Sequence, residues 1–170
     1  MDISCHIDIL RTAFTQTNQI NKSTFRIIAL ANVSTDLNQV NPNLHFDNAP
    51  NREMICVRWQ QGVARQLEQA VAWCKPKPNG RLRNKIAALW AYGRLTHILQ
   101  DFYAHTNWVE LQETQGWKAM VAPLLYTTLT PSQLPEQLQS GYFSLRYFTP
   151  RYKFSGCPID LTPGLQPAKI

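Results

Sequence analysis

The sequence predicts an all-α, single-domain helical bundle, and three observations support this prediction. The chain has 170 residues, a length that suits one domain with a sizeable core. Apolar residues make up 44% of it, which is ordinary for a globular protein and argues against disorder over most of the chain. Apolar side chains recur at helical spacing in several segments, without an internal repeat. We therefore interpret residues 1–170 as one helical domain, with an irregular, aromatic segment from about 141 to 170.

Two helices and a loop are predicted in the first third of the chain. Ser4 is suited to cap a helix that runs to about Thr17, and Ser23 is suited to cap a second helix. The segment from Asp36 to Pro50 is predicted to be a loop, because its asparagine and proline residues favour turns.

Two long helices are predicted in the middle of the chain. The first covers about Arg52 to Cys74 and is ended by KPKPNG at 75–80, since prolines and a glycine cannot continue a helix. The second covers roughly Arg81 to Thr106. Its first turns are expected to direct three apolar side chains inward: Ile86, Leu89 and Trp90. Shorter helices are predicted at Trp117–Leu125 and Ser132–Gln139.

The second long helix contains a regular array of polar side chains. The stretch LTHILQDFYAHTNWVE places His97, Asp101 and His105 at four-residue spacing. Each step of four turns the side chain by only about 40° in a helix, so the three groups line one face. His97 and His105 lie about 12 Å apart along the axis, too far to share one ion comfortably. Asp101 can offer one carboxylate oxygen to each of two metals, so the array predicts a multi-metal site bridged by an aspartate.

Histidine is scarce in this chain, and each remaining copy has an aspartate nearby. Of the four histidines, His6 is followed by Asp8, and His45 is flanked by Asp36 and Asp47. Imidazole and carboxylate groups are common zinc ligands, so these segments favour a metal site. The alternative is that the same residues are hydrogen-bonded structural groups, which is the usual role of a single histidine beside an aspartate.

These motifs resemble the zinc-dependent phospholipase C and single-strand nuclease superfamily, most closely its heterokaryon-incompatibility (Het-C-like) branch. The matching segments are HIDI at 6–9, Asp36 with HFDN at 45–48, and HILQDFYAHTNWVE at 97–110, and the resemblance covers about residues 5 to 110. It implies the helical phospholipase C and nuclease fold with one to three zinc ions. By this resemblance the ligands of the three ions would be Asp36, His45, His97 and Asp101 for the first, His6 and Asp101 for the second, and His105 for the third.

The resemblance also implies an activity, the hydrolysis of phosphodiesters in phospholipid or nucleic acid, with Asp36 and Asp101 as candidate catalytic residues. Zinc lowers the pKa of bound water towards neutrality, and neighbouring ions stabilise the charge that develops in phosphoryl transfer. Four further residues are predicted to orient the metal ligands by hydrogen bonds without binding metal themselves: Asp8, Asp47, Asn107 and Glu110. Glu110 is equally well explained as a group at the solvent side of the helix.

One departure from the resemblance bears on the activity. Members of that superfamily carry further ligands on a later helix, whereas this chain has no histidine after His105. The first zinc site is therefore expected to be complete and the other two partial. Two alternatives stay open, a non-catalytic Het-C-like interaction module with a structural zinc and a helical domain without metal.

Charge and cysteine usage give expectations about partners and location. The net charge of +6 is compatible with an acidic partner such as nucleic acid or anionic lipid, while no protein partner is indicated. No run of eighteen apolar residues is present, and the N-terminus lacks a signal-peptide pattern. The four cysteines form no CxxC pair, so reduced thiols and a cytoplasmic location are expected.

Overall fold

Helices dominate the computed structural model, which describes residues 3–17, 20–76, 82–115 and 128–141. Within these ranges the α-helices are α1 (Ile3–Thr17), α2 (Lys22–Asp36), α3 (Pro42–His45), α4 (Arg52–Trp59), α5 (Arg65–Cys74), α6 (Leu82–His105) and α7 (Trp108–Gln115). A π-helical turn, Gln60–Ala64, joins α4 to α5, so that 52–74 is one continuous helix. The described residues contain no β-strand, only an isolated bridge between Thr106 and Ser140. The all-α prediction is confirmed.

Asparagine side chains cap three of the helices. The side chain of Asn21 accepts a hydrogen bond of 2.9 Å from the backbone N–H of Thr24, and Asn51 accepts one of 2.9 Å from Met54. Asn41 caps the short helix α3 in the same way. Such bonds satisfy N–H groups that have no partner inside the helix. Ser23, the predicted cap of the second helix, consequently lies inside α2.

The loop between α2 and α4 contains a turn of unusual backbone conformation. Phe46 has φ 55° and Asn48 has φ 56°, in the left-handed region that residues with a Cβ rarely adopt. Phe46 is fully buried, with its ring 5.1 Å from that of Phe102 and 6.2 Å from that of Trp59. Burial of this large ring stabilises the turn, and Asp47 between the two residues is directed into the interior.

α6 is the central helix, with α2 on one side and α5 on another. Gly93 allows the close approach of α2, because a Cβ at this position would collide with the carbonyl oxygen of Ile28 and lie 2.7 Å from the Cβ of Ala31. The two backbones can therefore pack closely only while position 93 lacks a side chain. This contact brings the C-terminal half of α2 beside His97.

Gly62 has the same role in the π-helical turn. A Cβ there would collide with the carbonyl oxygen of Asn43 and lie 3.3 Å from the Cγ2 of Ile98. The absence of a side chain at Gly62 lets the backbone of α3 approach this helix beside its contact with α6. His45, at the end of α3, is thereby held against α6.

The hydrophobic core lies around the second half of α6. It contains the aromatic residues Phe46, Trp59, Phe102 and Trp108 and extends to Leu138. In contrast, Ile86 and Trp90 in the first half of α6 are 42% and 37% exposed. The prediction that these two side chains point inward is wrong, because they lie along a cleft between α5 and α6.

The predicted helix at Ser132–Gln139 is also wrong. A 3-10 turn at Pro131–Gln133 is followed by an irregular segment, since Pro135 has no N–H to continue a helix. This segment contains a further turn, in which the N–H of Leu138 donates to the carbonyl of Pro135 at 3.1 Å. The backbone N–H of Ser140 donates to the carbonyl of Ala49 at 2.8 Å, and that of Gly141 donates to the carbonyl of His105 at 3.0 Å. The segment thus packs beside the polar array. The predicted helix at Trp117–Leu125 and the segment after 141 lie outside the described residues.

Two further findings concern the environment of the chain. No helix in the described ranges is long and apolar enough to cross a membrane. Cys5 is disulfide-bonded, whereas Cys56 and Cys74 are free thiols. The expectation of reduced cysteines is therefore wrong for Cys5, and the cysteines no longer argue for the cytoplasm. A cytoplasmic location stays a prediction.

Candidate metal centre

The polar array of α6 is buried, and its central carboxylate faces both of its histidines. Asp101 is fully buried. Its Oδ2 lies 3.0 Å from Nε2 of His97, and its Oδ1 lies 3.8 Å from Nε2 of His105. The two carboxylate oxygens thus face different histidines, as the four-residue spacing predicted.

Two other elements bring the remaining histidines to the same carboxylate. Nε2 of His6, from α1, lies 3.3 Å from Oδ1 of Asp101. Nδ1 of His45, from the end of α3, lies 2.8 Å from Oδ2 of Asp101. All four histidines of the chain are buried. Residues separated by up to 99 positions therefore form one cluster around Asp101.

Three of these imidazoles are oriented by acceptors on the side away from Asp101. Nε2 of His45 donates to the carbonyl oxygen of Asn38 at 3.0 Å, and Nδ1 of His105 donates to Oδ1 of Asp47 at 2.9 Å. Nδ1 of His6 donates to Oε1 of Gln100. A neutral imidazole carries one N–H, so in His6 and His45, when neutral, the nitrogen directed towards Asp101 would present a lone pair.

Gln100 is itself held in place. Its Nε2 donates to the carbonyl of His6 at 3.1 Å, and its Oε1 also accepts from Nδ2 of Asn32 at 3.0 Å. The Asn32 amide donates in addition to Oγ1 of Thr96 at 3.1 Å. This network joins α1, α2 and α6 and fixes the ring of His6.

Three buried polar atoms of the cluster have no hydrogen-bond partner among the described residues: His6 Nε2, His97 Nδ1 and Asp101 Oδ1. His6 Nε2 and Asp101 Oδ1 face each other at 3.3 Å. Nδ1 of His97 is the nitrogen of that ring that does not face Asp101. Buried polar atoms without partners are costly and rare in folded proteins. A cation held between His6 Nε2 and Asp101 Oδ1, either a proton or a metal ion, removes that cost for this pair.

Three ligand atoms have the spacing of a zinc site. His45 Nδ1, His97 Nε2 and Asp101 Oδ2 form a triangle with sides of 2.8, 3.0 and 3.2 Å. Ligands on tetrahedral zinc at bond lengths of about 2.0–2.1 Å lie roughly 3.3 Å apart. The triangle is close to one face of such a tetrahedron.

A second group of ligand atoms shares one residue with the first. Atoms of His6, Asp36 and His97 lie within 4.8 Å of one another. Asp36 is half-buried, and its Oδ1 accepts from Nε2 of Gln39 at 2.9 Å. The resemblance had placed Asp36 with His45, whereas the structure groups it with His6.

The electrostatic environment of Asp101 and His97 favours the protonation states that metal binding requires. Burial lowers the pKa of His97. Burial would raise the pKa of Asp101, but His105 and the hydrogen bonds of the other three histidines hold it well below its usual range. Burial would also lower the pKa of His105, but Asp101 and Asp47 raise it. Asp101 is thus ionised and His97 neutral near neutral pH, which are the forms that bind metal.

The residues predicted to orient the ligands lie in different places. Asp47 contacts His105 as described above. Asp8 lies on the surface, where it pairs with Arg11 at 2.7 Å. Asn107 instead binds the backbone of the irregular segment after Gln133, through Gln137 and Gln139, and Glu110 is exposed. Among the described contacts, Asp47 is thus the one member of this group that orients a site imidazole.

Sequence reasoning missed Asn38, Gln100 and Asn32 as residues of this site. Asn38 contributes a backbone carbonyl, which any residue type would provide. A glutamine next to an aspartate is common on helices, so Gln100 carries no distinctive signal. Its role depends on the position of His6 in a separate helix.

Comparison with known proteins identifies the family. The family model that matches is the VWA7 N-terminal domain, over residues 7–130. The von Willebrand factor A domain-containing protein 7 of Mus musculus is 34% identical over 88 residues, which are 49% of this chain and 8% of that protein. The Homo sapiens protein of the same name is 31% identical over 102 residues, 56% of this chain and 10% of its own length.

The rat relative matches this chain with similar identity and coverage. The von Willebrand factor A domain-containing protein 7 of Rattus norvegicus is 34% identical over 99 residues, again 56% of this chain and 10% of the relative. This chain therefore spans about a tenth of the length of the curated relatives that it matches. No solved structure matches the chain.

These matches overturn the resemblance drawn from the motifs. Assignment to the phospholipase C and nuclease superfamily is wrong, and so are the phosphodiester hydrolase and the Het-C-like module that followed from it. The physical reason is that histidines and an aspartate at four-residue spacing describe a metal-binding helix face in general. The same pattern arises in different families, so it does not identify one of them.

Proposed function

The chain belongs to the VWA7 N-terminal domain family, and we propose that it is a zinc-binding domain in which the ion joins α3 and α6. The observation that supports this most strongly is the triangle of His45 Nδ1, His97 Nε2 and Asp101 Oδ2. Because the opposite nitrogen of His45 donates to Asn38, the lone pair of its Nδ1 points into that triangle.

The donor set favours zinc over calcium or magnesium. Calcium and magnesium prefer sites made of oxygen ligands, whereas imidazole nitrogens with a carboxylate suit zinc. The outer acceptors on His6, His45 and His105 match the pattern in which metal-binding imidazoles donate their second N–H to a neighbouring group. His6 and Asp36 are the residues that would hold a second ion, with His97 shared between the two groups.

A bound ion would have a clear energetic role. The ion supplies positive charge beside Asp101, which is fully buried. Its ligands come from segments that are distant in the sequence, so binding free energy adds directly to the stability of the folded chain. We therefore propose that the ion organises the domain.

The test is the metal content of the purified 170-residue chain after it has been offered zinc and excess ion has been removed. We expect at least one zinc ion per chain. Asp101→Asn should lose it, since the amide is neutral and coordinates metal poorly. Asp8→Asn is the matched control, because Asp8 pairs with Arg11 on the surface, and it should keep the zinc.

Thermal unfolding provides the second measurement. A chelator should lower the melting temperature of the wild-type chain and of Asp8→Asn but not that of Asp101→Asn. A wild-type chain that retains no zinc, or Asp101→Asn with the zinc content of the wild type, would show that the cluster is a metal-free hydrogen-bond network.

A further inference from the structure

The antiparallel helices α5 and α6 leave large apolar side chains exposed at the end of the pair that is far from the core. At the end nearer the core, Gly62 lies opposite Ile98. At the other end, Trp73 in the last turn of α5 lines one cleft with Ile86 and Trp90 of α6. These three side chains are 38%, 42% and 37% exposed. Exposed apolar patches with a polar rim mark surfaces that bind a partner protein or a membrane.

The net positive charge of the chain comes from the same part of the sequence. Six of the chain's 17 lysines and arginines lie in 69–100, a segment without aspartate or glutamate. The 11 that remain are balanced by the 11 acidic residues of the rest of the chain. Lys75 and Lys85 are exposed, and no carboxylate among the described residues forms an ion pair with either of them. The apolar patch is therefore flanked by lysines whose charge no described acidic group neutralises.

An anionic lipid bilayer fits both features. Its surface attracts clustered lysine and arginine side chains, and its headgroup region accommodates indole rings. The alkyl part of a lysine can lie along apolar surface while its ammonium group stays among polar groups. Nucleic acid would match the charge, and its bases stack on aromatic rings. However, Ile86, Ala87 and Ala91 also line the cleft, and such aliphatic side chains suit acyl chains better than bases.

We propose that this end of the α5–α6 pair binds the surface of an anionic membrane. The binding surface, the hairpin tip, consists of Trp73, Lys75, Lys85, Ile86 and Trp90. The two indole rings and Ile86 enter the headgroup region, and the two lysines contact lipid phosphates and carboxylates. Apolar burial and electrostatic attraction add together, as in other protein segments that lie on a membrane surface. No residue of the hairpin tip belongs to the metal centre, so the proposal does not depend on zinc.

Flotation of the full 170-residue chain with lipid vesicles tests the proposal. We expect the chain to float with vesicles of phosphatidylserine and phosphatidylcholine and to bind much more weakly to vesicles of phosphatidylcholine alone. Added salt should weaken binding, because it screens exposed charges. Lipids with brominated acyl chains quench the fluorescence of tryptophan rings that reach the hydrocarbon, and most of this quenching should come from Trp73 and Trp90.

A lysine variant measures the electrostatic part. Lys85→Gln should weaken binding to the phosphatidylserine vesicles about fivefold, the usual effect of one lysine near an anionic membrane. Arg52→Gln is the matched control, since it also removes one positive charge. Arg52 begins the continuous helix 52–74, about 30 Å from its other end, so this variant should bind as the wild type does.

A tryptophan variant measures the apolar part. The double variant Trp73→Ala and Trp90→Ala should bind the phosphatidylserine vesicles at least about tenfold more weakly and should lose most of the quenching. The matched control is Leu37→Ala with Val40→Ala, because these side chains are 77% and 71% exposed and lie outside the hairpin tip. Lys85→Gln changes no apolar contact, so it tests the surface even if the tryptophan variant loses stability.

Three results would overturn the proposal. The first is the absence of binding to the phosphatidylserine vesicles, and the second is equal binding to the two kinds of vesicle. The third is wild-type binding by both Lys85→Gln and the tryptophan variant. A single-stranded oligonucleotide that binds the hairpin tip when the vesicles do not would assign the surface to nucleic acid instead.

Discussion

Nδ1 of His45 lies 2.8 Å from Oδ2 of Asp101, although the two residues are 56 positions apart in the chain. The other nitrogen of the same ring donates to the carbonyl of Asn38 at 3.0 Å. A neutral His45 would therefore place a lone pair against a carboxylate in a site without solvent. This relationship makes the cluster sensitive to any change that moves an imidazole or alters which nitrogen carries its proton.

The first prediction concerns the residue that orients His6. Gln100→Leu removes the acceptor for Nδ1 of His6 while it preserves an unbranched-Cβ side chain of similar size. The ring can then rotate or change tautomer, so we expect affinity for the second ion, which His6 would hold with Asp36 and His97, to fall by about 10- to 100-fold, as for other groups that orient metal ligands. Competition with a chromophoric chelator measures this affinity.

A matched glutamine is available as the control for that experiment. Gln61 is exposed in the π-helical turn, and Gln61→Leu should leave zinc affinity unchanged. Equal affinities for the second ion in the wild type and Gln100→Leu would mean that His6 contributes nothing to its binding.

The second prediction concerns the buried pair of His105 and Asp47. Asp47→Ala removes the acceptor for Nδ1 of His105 and leaves a buried N–H without a partner. We expect a loss of roughly 1–3 kcal/mol in the free energy of unfolding, measured by chemical denaturation. Asp8→Ala, which breaks the exposed pair with Arg11, should change stability little. Equal losses in the two variants would contradict the structural role assigned to Asp47.

The third prediction concerns the crossing of α2 over α6. Gly93→Ala would ordinarily stabilise a helix interior by up to about 1 kcal/mol. Here the new methyl group meets the carbonyl oxygen of Ile28 and the Cβ of Ala31, so we expect a loss of about 1–3 kcal/mol instead. Denaturant unfolding measures whether Gly93→Ala lowers or raises the free energy of unfolding. A variant more stable than the wild type would show that the helices are not in close contact at Gly93.

The fourth prediction concerns pH and the thiol of Cys56. Burial, with a smaller contribution from the charge of Glu53, raises the pKa of this thiol. Because the pKa of the thiol is higher in the folded chain than in the unfolded chain, the contribution of the thiol to stability is fully present below its unfolded pKa. That contribution is lost as pH rises above the unfolded pKa. Stability should therefore fall as pH rises above about 8.5, where the unfolded thiol ionises.

Cysteine variants separate this effect from other groups that titrate at alkaline pH. Cys56→Ala should show a shallower decline in unfolding free energy than the wild type between pH 8 and 10, whereas Cys74→Ala should not, since Cys74 is exposed. Alkylation of the native chain should accordingly modify Cys74 first. Faster labelling of Cys56 than of Cys74 would contradict the burial of Cys56.

Much of the helical framework was predictable from local features. The continuous helix 52–74 and α6 begin and end within one residue of their predicted bounds, because apolar periodicity and the KPKPNG break act over short distances. The segment after Thr130 was not predictable in this way. Its backbone bonds to Ala49 and His105 replace the helix that its composition favoured.

The sequence by itself determined that α6 would place His97, Asp101 and His105 on one face, since helix geometry depends only on residues near in the chain. It also determined the supply of ligands, four histidines each with an aspartate within reach. Only the tertiary structure decided that Asp36 joins His6 and that Asp8 faces solvent. It likewise decided that Trp90 lines a cleft. These outcomes depend on contacts between distant segments, such as the approach of α2 at Gly93 and of α3 at Gly62, which no local pattern encodes.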